Sequence, residues 1–330
     1  MLSRKHLFIC STPFQLMAAI NLSLTSLVND EVTLYILDHS DSYNEMYNGA
    51  MQAQCFHQIF LLKTKAFNNH WTQKFKVTRY IVKGIEYINH KKIALNFIED
   101  NTNYDKFWVS FMDRSSWLIF LTYKKVNPNI ELFFIGDGVG GYRLLTVREN
   151  HLDKKLLHIL GFKSTFEEMQ ALYVYEPDLA KNTLYPEIKI NPLPKVCDNK
   201  IKDILNDILS FDVKDLELLR HKYIFLEAPY AQDKIYNHQL KIMRQLCEQM
   251  EDQFCIKLHP RTLMKEVDDQ KCISNVTTAI EALCLNGDVS KNVFISGLSA
   301  ASVMPKLMFD QEPVVIFLYK IFELDKLTFS

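Results

Sequence analysis

Short apolar runs alternate with longer amphipathic stretches along the chain, the pattern of parallel strands joined by helices. Residues 7–10 read as the first strand, 11–13 as a capping loop, and 14–24 as a helix. Residues 32–37, 58–62 and 107–110 read as further strands, the last after a long lysine-rich helix ending near Glu99. A strand over 132–135 then runs into the glycine-rich turn Gly136-Asp137-Gly138-Val139-Gly140-Gly141. Between Asp178 and Pro194 the character changes. Pro177, Pro186, Pro192 and Pro194 break helices and favour extended chain, so this stretch is the expected linker. A second series follows: helix 200–209, strand 223–226, helix 234–250, strand 255–258, a helix near 278–285, strand 292–295, helix 299–307 and strand 314–317. The expectation is an α/β protein of two doubly wound domains, residues 1–190 and 191–330.

A length of 330 residues suits two domains, and 48% hydrophobic with 23% charged residues is a globular profile. The net charge of −1, with no basic run, argues against nucleic acid as a partner. Seven scattered cysteines without a C-x-x-C pair exclude a zinc ribbon or thioredoxin motif and read as buried thiols in a reducing compartment. After the basic start Met1–His6, the apolar run 7–10 is too short for a signal-peptide core. No segment reaches the roughly 18 apolar residues that span a bilayer. The expected location is the cytoplasm. The abundance of Tyr, Phe and Lys is compatible with peripheral contact at the inner face of the cytoplasmic membrane.

In open α/β sheets ligands bind beyond the carboxyl ends of strands, and four segments put polar or glycine residues there. Ser11, Thr12 and Gln15 follow the first strand, where Ser11 or Thr12 serves equally well as an N-cap. Gly136–Gly141 contains G-x-G without the dinucleotide spacing and far from the first strand, which disfavours NAD. Its glycines around Asp137 suggest either a backbone that lets a substrate approach or a simple turn. Asp233, after Glu227-Ala228-Pro229, is a general base or merely a favourable charge at a helix start. The most specific segment is Ile256-Lys257-Leu258-His259-Pro260-Arg261. Here a strand delivers an imidazole to its end, Pro260 fixes the exit, and two cations stand near. The loop Ser296-Gly297-Leu298-Ser299, with Ser299 opening a helix, offers hydroxyls and free N–H groups to an anion. Two such loops would grip a nucleotide phosphate.

The order of glycine-rich acidic turn, His-Pro and serine loop, with the opening Ile9-Cys10-Ser11-Thr12-Pro13-Phe14-Gln15-Leu16, resembles the bacterial sialyltransferases of glycosyltransferase family 52. That family includes lipooligosaccharide and capsular enzymes, and the likeness spans nearly the whole chain as short motifs. The resemblance implies a GT-B-like fold, two Rossmann-like domains facing a central cleft, with an acceptor-side first domain and a donor-binding second one. It implies inverting, metal-independent transfer of sialic acid from CMP-sialic acid to a galactose-terminated oligosaccharide of surface lipooligosaccharide or capsule, without a cofactor. The absence of a D-x-D motif agrees with this. It also admits a homodimer, for which no residue pattern speaks.

Residue by residue, the resemblance assigns His259, with Pro260, to the CMP phosphate, and Ser299 with Ser296 and Gly297 to the serine motif. Glu281 matches the acid on the ribose hydroxyls, although a solvated helix glutamate would look the same. Asp233 matches the general base of the lipooligosaccharide branch. Two departures matter. Gly136 stands where the family's first acid precedes the glycine, which shifts the expected base to Asp233 and leaves Asp137, with Gly138, Ser11, Thr12 and Gln15, to the acceptor cleft. Ala300 follows Ser299, so the second hydroxyl of the serine motif is missing. The rival expectations are a UDP-sugar-dependent glycosyltransferase on the same fold, aided by Lys257 and Arg261, and a non-catalytic nucleotide- or sugar-binding protein of capsule assembly.

Overall fold

The computed structural model describes residues 3–39, 43–65, 67, 76–98, 102–136, 138–180, 183–196, 199–209, 211–227, 233–259, 273–274, 276, 278–297, 299–319 and 321. It leaves undescribed the side chains of 76–79, 233–238, 240, 244 and 251. The chain divides into two units, Met1–Pro194 and Lys195–Ser330.

Unit 1 is built on seven parallel strands, β1 (Lys5–Cys10), β2 (Glu31–Leu37), β3 (Gln58–Leu62), β4 (Lys106–Val109), β5 (Glu131–Ile135), β6 (Met169–Val174) and β7 (Lys189–Pro192). Their order is β3-β2-β1-β4-β5-β6-β7, so the winding reverses between β1 and β4. Its helices are α1 (Pro13–Thr25), α2 (Tyr43–Ala53), α3 (Lys76–Ile88), α4 (His90–Ala94), α5 (Arg114–Val126), α6 (Gly138–Arg143), α7 (His151–Ile159) and α8 (Thr165–Glu168). The central strands β1, β2, β4 and β5 are buried along almost their whole length. Helices cover both faces of such a sheet, and its strands therefore read as continuous apolar runs rather than as alternation.

Two expectations need correcting here. The stretch expected to be a linker belongs to unit 1, with Lys189–Pro192 as the edge strand β7 beside β6. Pro192 is tolerated because an edge strand leaves one side of its backbone unpaired. The lysine-rich helix is two pieces, α3 and α4. The first is anchored inward, where Arg114 grips both carboxylate oxygens of the buried Glu86, donates to Phe67 O at 2.7 Å, and lies 3.8 Å over the Phe67 ring.

Among the described residues, unit 2 has four parallel strands, β8 (Tyr223–Leu226), β9 (Phe254–Lys257), β10 (Val293–Ser296) and β11 (Val314–Phe317), in the order β11-β10-β8-β9. The helices are α9 (Asn199–Ile208), α10 (Asp233–Met250), α11 (Ile280–Asn286) and α12 (Met304–Phe309). One group of apolar side chains, including Ile224, Leu226, Leu283 and Phe294, packs on one face of this sheet, and another, including Phe225, Met243 and Ile256, on the other. The helix expected over 299–307 is instead a short 3-10 turn, Ala300–Ser302, followed by α12. Pro305 explains the break: inside a continuous helix it would lack a donor and crowd the preceding turn, whereas at the start of a new helix it costs nothing. The cysteines also differ from expectation. Cys10, Cys55, Cys255 and Cys284 stand outside any disulfide, but Cys247 is disulfide-bonded.

Candidate functional site

The carboxyl edge of the unit 2 sheet gathers most of the described candidates. The winding reverses beside β8, which lies between β10 and β9, and that is where an open α/β sheet leaves a crevice. Glu227 follows the last residue of β8, His259 stands two residues beyond β9, and Ser296 ends β10. With two strand spacings of roughly 4.8 Å each, the ends of β9 and β10 lie about 10 Å apart. That is room for one phosphate and its ester oxygens.

Glu227 was not singled out by the sequence, yet it organises this edge. It is buried, and its carboxylate Oε2 accepts the backbone N–H of His259 at 2.6 Å. Its own N–H donates to Lys257 O at 3.1 Å, extending the β8–β9 ladder by one rung. A charged acceptor makes this a stronger tie than a neutral amide would give. The signal in the sequence was one carboxylate directly after an all-apolar run, Tyr-Ile-Phe-Leu-Glu, where chain termination of a strand leaves a side chain pointing at the neighbouring loop.

Lys257, noted in the sequence only as a cation near His259, is 5% exposed. Its Nζ donates to Val276 O at 3.2 Å. Burial pushes its pKa down to about 8, against the pull of the carboxylates of Glu281 and Asp215. Asp215 in turn accepts the hydroxyl of Thr278. Glu281 thus lies within electrostatic reach of a buried ammonium, on the first turn of α11 and half-buried. Burial also lifts the Cys255 thiol to about 12 and the Cys284 thiol well above its ordinary range, which leaves both protonated and unreactive near neutral pH.

The serine loop is arranged differently from its expected form. Ser296 is wholly buried, and its Oγ accepts the N–H of Ser299 at 3.2 Å. The Ser299 carbonyl accepts the hydroxyl of Ser302 at 2.7 Å. The N–H expected to be open to an anion is therefore already engaged, and Ser299 caps a three-residue 3-10 turn rather than a helix. Gly297 is buried beside it. Asp233 is the first residue of α10, and its side chain lies outside the described part of the structure, as do Pro260, Arg261 and Leu298 entirely.

In unit 1 the candidates are spoken for locally. Thr12 is the N-cap of α1, its hydroxyl accepting the Gln15 N–H at 3.3 Å. The Gln15 side-chain oxygen accepts from both the N–H and the hydroxyl of Ser11, at 2.7 and 3.1 Å. Thr12 thus takes the N-cap position. Asp137 lies outside the described residues. Around it, Gly138 takes a left-handed φ of 57° at the start of α6, and Gly141 packs on Gly136 so closely that a Cβ there would sit 2.4 Å from the Gly136 Cα. A Cβ on Gly136 would in turn meet Val174 Cγ1 at 2.6 Å. Packing within the unit thus holds positions 136 and 141 to glycine, and the left-handed backbone favours it at 138.

Comparison with solved structures shows the same fold class at low sequence identity. A protein described as UDP-N-acetylglucosamine 2-epimerase from Listeria monocytogenes is 14% identical over 96% of this chain and 80% of that one, with a TM-score of 0.56. S. aureus MnaA in its UDP co-structure is 11% identical, covering 96% and 79%, with a TM-score of 0.52. Arabidopsis thaliana UGT89C1 complexed with UDP-L-rhamnose is 11% identical, covering 92% and 77%, with a TM-score of 0.51. The chain thus has the GT-B-like fold of glycosyltransferases and related epimerases. A sequence search of curated proteins gave no match. The family model for alpha-2,8-polysialyltransferase matches residues 6–314, nearly the whole chain. The chain belongs to that alpha-2,8-polysialyltransferase family and is a glycosyltransferase of the sialyltransferase kind.

Proposed function

We propose that the chain moves sialic acid from CMP-Neu5Ac onto a surface glycan, with inversion and without a metal, using unit 2 to bind the donor and unit 1 to bind the acceptor. The observation that carries the donor reading is the tie from Glu227 to the His259 backbone, which fixes an imidazole at the carboxyl edge of a parallel sheet. A single-phosphate leaving group needs little more than an imidazole, a nearby ammonium and backbone dipoles. Asp233 takes the proton of the acceptor hydroxyl, and that oxygen attacks the anomeric carbon of sialic acid. The bond from that carbon to the CMP phosphate oxygen breaks, and His259 stabilises or protonates the departing phosphate while Ser296, Gly297 and Ser299 border it. Glu281 receives the ribose hydroxyls.

The acceptor is a galactose-terminated glycan of lipooligosaccharide or capsule. The family description favours a second reading, an acceptor already ending in sialic acid and extended through an α2,8 linkage. Turnover assayed with a galactoside and with a sialoside separates the two. His259→Ala and Asp233→Asn are expected to lower transfer by about 10²–10⁴-fold with an unchanged urea midpoint. Wild-type turnover in Asp233→Asn removes Asp233 as the base. CMP is expected to raise Tm where UDP does not, and the reverse result refutes the donor assignment. Full activity in a chelator is expected of a metal-independent reaction.

A further inference from the structure

The outer face of α3 and α4 breaks the usual rule for a surface helix, whose solvent side is polar. Ile81, Val82, Ile85, Ile88 and Leu95 are between 43% and 66% exposed. Ile81, Ile85 and Ile88 stand at i, i+4 and i+7, on one stripe. The neighbouring α7 exposes Leu152 and Ile159 as well. Charge is sorted in the opposite sense. The two acids of these helices are drawn into ion pairs, Glu86 with Arg114 and Asp153 with Lys83. Among the described side chains of α3, α4 and α7, the exposed charges are Lys91, Lys92 and Lys155, with no exposed carboxylate. Helix α3 packs on α7, where a Cβ on Gly84 would stand in ordinary contact with Leu156 Cδ1 at 3.7 Å, so the apolar residues of both helices belong to one region of unit 1.

We propose that this face of α3, α4 and α7 docks on an anionic phospholipid bilayer. The isoleucines enter the boundary between headgroups and acyl chains, and the lysines meet lipid phosphates. Charge argues for lipid over a second copy of the chain, because two such faces brought together would confront lysine with lysine and no carboxylate to offset them. Among the described residues no helix is long and apolar enough to cross a membrane, so attachment by this face is to the surface. The proposal is independent of the donor and acceptor readings.

The test is flotation of the full chain with vesicles of phosphatidylcholine alone and of phosphatidylcholine mixed with phosphatidylglycerol. Binding is expected to the mixed vesicles and to fall as salt is raised. Each lysine removed from the surface is expected to weaken it by about fivefold, so Lys91→Ser with Lys92→Ser loses roughly 25-fold. Ile85→Ser with Ile88→Ser is expected to lose at least about tenfold per isoleucine. Both pairs are exposed, and an unchanged urea midpoint certifies that the fold is kept. Failure of the wild type to float with mixed vesicles overturns the proposal, as does wild-type flotation by both double variants. A wild-type dimer that Ile85→Ser with Ile88→Ser converts to monomer also overturns it, by showing a second copy as the occupant.

Discussion

Replacing Lys257 with Met is expected to make the protein more stable at neutral pH and worse at its task. The Lys257 ammonium is buried at the end of β9 and its pKa is pushed from 10.5 down to about 8 by burial. At about 1.36 kcal/mol per pH unit, that difference holds about 3 kcal/mol against the charged folded form at pH 7. Methionine keeps the length of the side chain without the charge, but gives up the bond to Val276 O, worth about 1 kcal/mol. The net expectation is a gain of about 2 kcal/mol at pH 7. The sign with pH follows from proton counts. Between about pH 8 and 10.5 the unfolded chain binds a proton at Lys257 that the folded chain has released, so wild-type stability rises with pH through that window. Other titrating groups are common to both proteins and cancel in the difference. Urea unfolding of both at pH 7, 8, 9 and 10 therefore should show a gap that closes from pH 8 upward, while CMP binding by the variant weakens. A variant less stable than wild type at every pH, by a constant amount, would refute the reasoning and show that Glu281 and Asp215 outweigh burial.

Glu227→Gln replaces a charge-assisted bond to the His259 N–H by a neutral one, a loss of about 1–2 kcal/mol. It is expected to lower kcat about tenfold with little change in KM, and steady-state kinetics checks the split. Gly141→Ala forces a Cβ onto the Gly136 backbone, and overpacking of this kind is expected to cost about 1–3 kcal/mol in urea unfolding. Arg114→Met leaves the Glu86 carboxylate buried without its guanidinium, and a fall of about 3–5 kcal/mol is expected by the same measurement.

Most strands were legible because an all-parallel sheet writes itself as apolar runs, and residues 58–62 and 223–226 were bounded to the residue. The strands β6 and β7 were not. Gln170 interrupts the first, and the second is four residues long, begins with Lys189 and ends with Pro192. At the sheet edge, β7 has no buried residue and so writes no apolar run. Among site residues, the placement of His259 beyond a strand was readable from the strand run and Pro260. Glu227 and Lys257 were not readable as buried, because a charge next to an apolar run is ordinarily solvated and only tertiary contact decides otherwise. The 3-10 break at Ser299 was encoded in Pro305, six residues further on, beyond the reach of the serine motif itself.

The His259 backbone hangs from its neighbouring strand. With the Glu227 carboxylate on its N–H and the Glu227 N–H on Lys257 O, its backbone is fixed by β8 and β9 before the chain goes on. A substitution that shifts β8 against β9 would therefore carry the His259 main chain with it, so strand register and the position of this residue are inherited together.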